Sequence, residues 1–333
     1  MYIVDNYSLA VFFCVVTMFC WGSWANTQKL AAKTWRYEFF YWDYVIGLLL
    51  FSLLSAFTLG SHGTQGRGFL EDLAQADTKN MLSAFMGGVV FNAANILLSA
   101  AIALCGMSVA FPVGIGIALV LGVVVNYVGA AKGNPAFIWL GIGLIMVAIV
   151  LNALAYRKAQ VGAQKASAKG IVLSIVAGLI MAFFYRFVAA SMDLSNFENP
   201  AAGKMTSYTA VVIFASGIFI SNFLFNTIAM KKPVQGAPLS VSGYFKGNFK
   251  THLVGVLGGM IWCVGQSFSL IASGKAGAAI SYGLGQGATL VSALWGILIW
   301  KEFKQAPPAA DRLNVGMFIL FILGLAALIY AGA

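Results

Sequence analysis

Charge is what this sequence lacks most. Only 9% of its 333 residues are Asp, Glu, Lys or Arg, against about 25% in a soluble domain, whose surface has to face water. With 60% hydrophobic residues and a mean hydropathy of +0.87, the chain cannot cover its own surface unless lipid is the solvent, which excludes a water-soluble globular fold. Histidine is nearly absent: His62 and His252 lie in or beside loops, with no partner at metal-ligand spacing. The four cysteines, Cys14, Cys20, Cys105 and Cys263, fall inside apolar runs without CxxC or Cys/His spacing, so they read as small hydrophobes and not as disulfides or ligands. No HExxH, no GxSxG and no histidine at membrane depth occurs, so a membrane-embedded enzyme is not expected, nor a metal, nor a cofactor. The net charge of +10 sits in short loops between apolar runs and not on one amphipathic face, so membrane topology accounts for it and a nucleic-acid partner is excluded.

What is present is a succession of apolar runs of spanning length, about 20 residues each. They predict ten transmembrane helices at 8–28, 38–60, 81–104, 107–128, 136–156, 170–190, 206–230, 251–273, 276–300 and 313–332. Very short turns around Cys105-Gly106 and Lys275-Ala276-Gly277 make the third/fourth and eighth/ninth runs tight hairpins. The first run is expected to stay in the membrane, because its flank has no Lys or Arg and carries Asp5, whereas a cleaved signal starts basic. Loops after odd-numbered runs hold fourteen Lys and Arg, including Lys29, Arg36, Lys165 and Lys250, and the opposite side five. That bias predicts cytoplasmic odd loops and both termini outside, in an inner (cytoplasmic) membrane.

A shift of 171 residues superimposes the two hairpins. Gly87-Gly88 falls on Gly258-Gly259, Gly106 on Gly277, Gly114 and Gly116 on Gly285 and Gly287, and Asn95 on Gln266. The expected fold class is therefore an all-α membrane protein of ten transmembrane helices in two inverted five-helix repeats, 1–160 and 161–333, since five crossings turn the second copy upside down. Inverted repeats are the usual construction of secondary transporters, with the solute near the midplane. Glycine also serves close helix packing, and both uses are compatible.

Polar groups at membrane depth need a reason. Asn92 and Asn95 share a face of the third helix, Gln266 takes the equivalent depth on the eighth, and Ser281, Tyr282, Gln286 and Thr289 run along the ninth. Amides supply donor and acceptor together, suiting a neutral polar solute, although each also suits a tie between helices. The first helix ends Trp21-Gly22-Ser23-Trp24-Ala25-Asn26. Trp24 reads as an interfacial belt residue, and Trp21, one turn deeper, as a ring for stacking on a solute. The candidate solute-binding set is Trp21, Asn26, Asn92, Asn95, Gln266, Ser281, Tyr282 and Gln286. Two ionisable residues lie inside spans. Asp43 reads either as a proton-coupling site or as an interfacial structural acid, and Arg186 either as snorkelling to the surface or as a gate contact.

On these residues the chain resembles the drug/metabolite transporter superfamily, and within it the branch of ureide permeases and bacterial glucose/ribose porters. The resemblance covers essentially the whole chain. It rests on two five-span halves, Trp21-Gly22-Ser23-Trp24, the Tyr-x-Asp-Tyr start Tyr41 to Tyr44, the Gly-x-x-x-x-Asn-x-x-Asn run from Gly87 to Asn95, and the last hairpin with Gly283, Gly285 and Gly287. It implies a bundle in which the first four helices of each half surround a central cavity, and import of monosaccharides such as ribose or of nucleobase-like ureides. The expected function is a secondary transporter importing a small neutral polar solute by alternating access, with protons as an optional co-substrate. The alternative is an exporter of drugs or metabolites on the same fold, which predicts a mostly aromatic cavity. The lipid bilayer and, as an option, a second copy of the chain complete the partners; a channel is disfavoured by the duplication.

Overall fold

In lipid only hydrogen bonds within a segment can satisfy the backbone of an isolated crossing, so each apolar run closes into a helix. The computed structural model describes residues 1–63, 65–159, 167–301, 303–304 and 306–333; Lys165 and the expected boundary between halves at 160/161 lie outside the described residues. The described residues contain ten helices long and apolar enough to cross a membrane. They are α1 (Tyr7–Ala31), α2 (Tyr37–Phe57), α3 (Thr78–Cys105), α4 (Met107–Gly129), α5 (Pro135–Ala159), α6 (Ala168–Ala190), α7 (Ser207–Lys231), α8 (Phe249–Ala276), α9 (Ala278–Ile299) and α10 (Pro308–Gly332). No strand is assigned among the described residues. Asn6, Thr206 and Asn248 cap α1, α7 and α8 with side-chain oxygens, supplying acceptors for backbone N–H groups that the first turn leaves unpaired.

Two spans expected to be continuous are interrupted. α1 breaks at Trp24. α9 breaks at Gly287, where Gly287 N donates to Leu284 O and Leu290 N to Gly287 O, three-residue closures that tighten the turn, and it ends in a π-helical turn, Trp295–Ile299. α3 and α8 have the same length, 28 residues. Each ends at one glycine in a left-handed conformation, Gly106 at φ 80° and Gly277 at φ 83°, where a side chain would be strained.

The packing crosses between the first and last five helices. α1 lies on α8 and α9, and α2 on α8; α6 lies on α3 and α4, and α7 on α3; α5 packs along α10. Every pairing thus recurs when each helix is exchanged for the one five places on. The crossings recur in atomic detail as well. A Cβ on Gly259 would fall on the Tyr44 carbonyl oxygen and one on Gly88 on that of Phe214, while a Cβ on Gly47 would meet Val256 O and one on Gly217 would meet Phe85 O. These glycines are where backbone rests on backbone.

The loops define two faces. On the even-loop face the segment after α2 is clasped to the segment before α7. Arg67 donates to Asp72 Oδ1 (2.9 Å), Pro200 O (2.6 Å) and Lys204 O (2.7 Å), and the buried Asp72 accepts from Thr206 N through Oδ2 (2.8 Å). On the odd-loop face, the one richer in Lys and Arg, Arg36 pairs with Glu38 and donates to Gln235 O and Ala237 O after α7.

Candidate functional site

Two spaces lie one above the other between the two sets of crossing helices. The outer one is a vestibule of about 470 Å³ on the odd-loop face, lined by Gln28, Lys29, Trp35, Arg36, Glu38 and Met107 among others. The inner one is a central cavity of about 20 Å³ bounded by Trp21, Trp24, Phe91, Asn95, Leu98, Phe111, Ile115, Met181, Phe184, Trp262, Gln286 and Ala288. That is room for about one water. Gln286 and Ala288 flank the break of α9 at Gly287, which is how α9 comes to face the cavity with both sides of its interruption.

One turn of side chains separates the two spaces, and three helices show it independently. Trp24 lines the cavity and Gln28 the vestibule on α1; Leu98 and Ile102 do the same on α3, and Phe111 and Met107 on α4. Four residues of helix rise about 6 Å. Gln28 Nε2 crosses this layer to Ser99 O at 3.0 Å. Toward the even-loop face the closure is much deeper. Tyr185, Ser269 and Ser281 form a buried knot, with Ser281 Oγ donating to Ser269 O at 2.6 Å and Tyr185 OH within 3.0 Å of Ser269 Oγ; Cys14 Sγ lies 3.6 Å from Ser281 Oγ. Beside it, at the height of Cys14 and Ser269, Phe13 stacks on Phe268 with centroids 4.5 Å apart, and the Arg67 clasp lies on that face.

The expected solute-binding residues divide. Trp21, Asn95 and Gln286 come together at the cavity. Asn92 does not: its Oδ1 accepts from Tyr41 OH (3.0 Å) and its Nδ2 donates to Ser221 Oγ (2.9 Å) and Ile218 O (3.2 Å), which ties α3 to α2 and α7. Asn26 donates to Ser23 O and accepts from Trp300 Nε1 at 2.7 Å. Ser281 belongs to the buried knot, and Tyr282 OH donates to Ala118 O at 3.1 Å, its ring seated over Gly122. Gln266 is fully buried on α8, one turn beyond Trp262, with no partner among the described residues for either amide atom. Arg186 packs its guanidinium across Gly129 at the end of α4.

The belt assignment of Trp24 is corrected. Its indole is 2% exposed and packs against Tyr44 and Phe111, because the break in α1 turns it inward. The aromatic lining was the larger omission. Phe91 touches Trp262 with centroids 4.2 Å apart, and Trp262 stacks on Trp21 at 5.6 Å and 12°. Phe91 and Trp262 are themselves 171 residues apart, so the register that paired Asn95 with Gln266 already paired these two rings.

Asp43 sits in a second constellation. Its carboxylate is 1% exposed and accepts from Tyr244 OH (2.5 Å) and His252 Nδ1 (2.8 Å) at Oδ1 and from Trp35 Nε1 (3.1 Å) at Oδ2. Donors from α2's own approach, from the short helix Val241–Tyr244 and from the start of α8 thus converge on one carboxylate. Burial first, then the hydrogen bond to Asp43 and its charge, push the Tyr244 phenol up, which keeps it protonated as a donor. No local spacing connects His252 to Asp43, which lies 209 residues away in the chain.

The family profile described as ureide permease matches residues 40–166 and 154–331. Ureide permease 1 of Arabidopsis thaliana is 22% identical over 383 residues, covering 98% of each chain, and ureide permease 2 of the same plant is 24% identical over 391 residues, again covering 98% of each. One solved crystal structure superposes with a TM-score of 0.58 at 11% identity, covering 97% of this chain and 98% of that one.

Proposed function

Because the chain belongs to the ureide permease family, a family of multi-pass transporters and not of enzymes, we propose that it carries a flat, neutral, ureide-like solute through the aromatic central cavity by alternating access. The observation that carries this is the unequal closure around the cavity: one turn of side chains toward the vestibule, and a buried polar knot, stacked rings and a clasp toward the other face. A thin barrier on one side and a thick one on the other is what an occluded carrier has and an open pore lacks. The exchange symmetry of the glycine crossings supports two inverted halves that rock against each other. Rings on most sides of the cavity, with Asn95 and Gln286 as polar edges, suit stacking on a planar solute better than the hydroxyl-rich perimeter of ribose.

The direction proposed is import across the cytoplasmic membrane, with the vestibule and the Lys/Arg-rich loops inside and both termini outside. The aromatic lining also favours a second reading, export of apolar drugs or metabolites. Uptake by proteoliposomes of a labelled cyclic ureide, ribose and an apolar cation separates them. Ureide uptake is expected, competed by ureides and not by ribose; resistance or efflux of the apolar cation without ureide uptake removes the proposal.

Proton coupling is assigned to Asp43, whose carboxylate joins α2 to the loop before α8. In Asp43→Asn, solute exchange across vesicles should persist while the stimulation by an inward proton gradient disappears. Gradient dependence unchanged in the variant removes Asp43 from the coupling step.

A further inference from the structure

Gln266 is fully buried, yet Nε2 and Oε1 both lack a partner among the described residues, and so does Nε1 of Trp21. Asn92 makes three hydrogen bonds and Asn26 two. Asn152 and Asn222 are, like Gln266, buried and unpartnered among the described residues, but they lie on α5 and α7, which contribute no residue to the central cavity, whereas α8 lines it through Trp262. A primary amide held without either bond is destabilising in lipid or protein interior.

The two orphans share a neighbourhood. Gly265, the residue before Gln266, is the seat of the Trp21 pyrrole edge: a Cβ there would come within 2.8 Å of Trp21 Cδ1 and 2.9 Å of Nε1. Trp262, one turn before Gln266 on the same face of α8, stacks on Trp21 and lines the cavity. Asn95, 171 residues before Gln266, lines that cavity from α3. An unbonded amide and an unbonded indole N–H therefore stand behind the aromatic wall of a cavity too small for a ring in this state.

We infer that Gln266 and Trp21 Nε1 form the polar recognition face of the solute site, covered in the occluded resting state and paired only when a solute parts the rings. A primary amide presents a donor and an acceptor side by side, which matches the adjacent N–H and C=O of a cyclic urea or lactam through two hydrogen bonds. The indole N–H is left for a second carbonyl, and Trp262 and Phe91 for the ring face. This rests on the solute site proposed above and specifies the chemistry it selects.

The test uses the purified full chain, hydantoin as the simplest ring ureide, and 1,3-dimethylhydantoin, which keeps the carbonyls and loses both N–H groups. Binding is followed by intrinsic tryptophan fluorescence and stability by thermal unfolding. Wild type should prefer hydantoin by about 10- to 100-fold, the worth of one or two buried hydrogen bonds. Gln266→Leu should lose that preference while its Tm stays level or rises, because the resting state loses no bond. A Gln266→Leu variant that keeps the preference overturns the assignment and leaves the solute site standing. A variant that loses the preference together with Tm also overturns it, since the amide is then a structural tie. Wild type that binds neither compound removes the proposed function itself, and this inference with it.

Discussion

Gly259→Val should leave little or no assembled protein. α2 crosses α8 at this glycine with backbone against backbone: a Cβ would fall on Tyr44 O and within 2.7 Å of Leu48 N. No side chain can rotate away to make room, so α2 must separate from α8, and the contact at Gly47 one turn along the crossing opens with it. Overpacking that only displaces side chains costs about 1–3 kcal/mol; a displaced helix pair costs more. Size-exclusion profiles and thermal unfolding in detergent provide the measurement. Gly143→Val is the control, since a Cβ at that exposed position on α5 meets nothing within 4 Å, and its effect should stay within about 0.5 kcal/mol. A wild-type melting curve for Gly259→Val would mean that α2 and α8 do not approach this closely.

Asn95→Leu should reduce ureide uptake by at least about 10-fold, the effect of losing one well-placed hydrogen bond or more to a solute, in protein that still inserts and folds. Asn95 faces the cavity, and its bond to Tyr41 OH is long at 3.3 Å. Tyr41 retains Asn92 as partner at 3.0 Å, so leucine, close to asparagine in size, strands no donor. Asn92→Leu provides the contrast. It cuts three hydrogen bonds between α2, α3 and α7, so its first effect should be on Tm, with about 1–3 kcal/mol lost where a buried group is left unpaired. Uptake by Asn95→Leu at the wild-type rate would place the solute elsewhere.

These two asparagines, three residues apart on one helix face, show where sequence reasoning stops. Hydropathy and spacing place both at depth and on the same side of α3. They do not say that Tyr41 and Ser221 stand opposite one and a cavity opposite the other, because that depends on where α2 and α7 cross. Asn26, Ser281 and Tyr282 carry the same ambiguity, and each is bonded to a neighbouring helix. Trp24 reads as interfacial because indoles near the end of an apolar run favour the interface; the break in α1 sends its indole inward.

The register of glycines was legible for a simple reason: a backbone crossing tolerates no Cβ, so the requirement is written as residue identity at a fixed position. The same holds for Gly106 and Gly277, whose positive φ suits glycine. The Asp43 constellation was not legible, since Trp35, Tyr244 and His252 reach it from three separate segments, the last two more than 200 residues along the chain.

By itself, then, the sequence determined the solvent, the number and approximate bounds of the crossings, and the recurring glycines of the two hairpins, Gly88 and Gly259 among them, because burial in lipid and the lack of a Cβ are properties of single residues and short runs. Only the tertiary structure decided which polar groups are ties, which face the cavity and which are left unpaired. Whether a buried donor is satisfied depends on what the neighbouring helix presents at that height and rotation, and no local pattern records it.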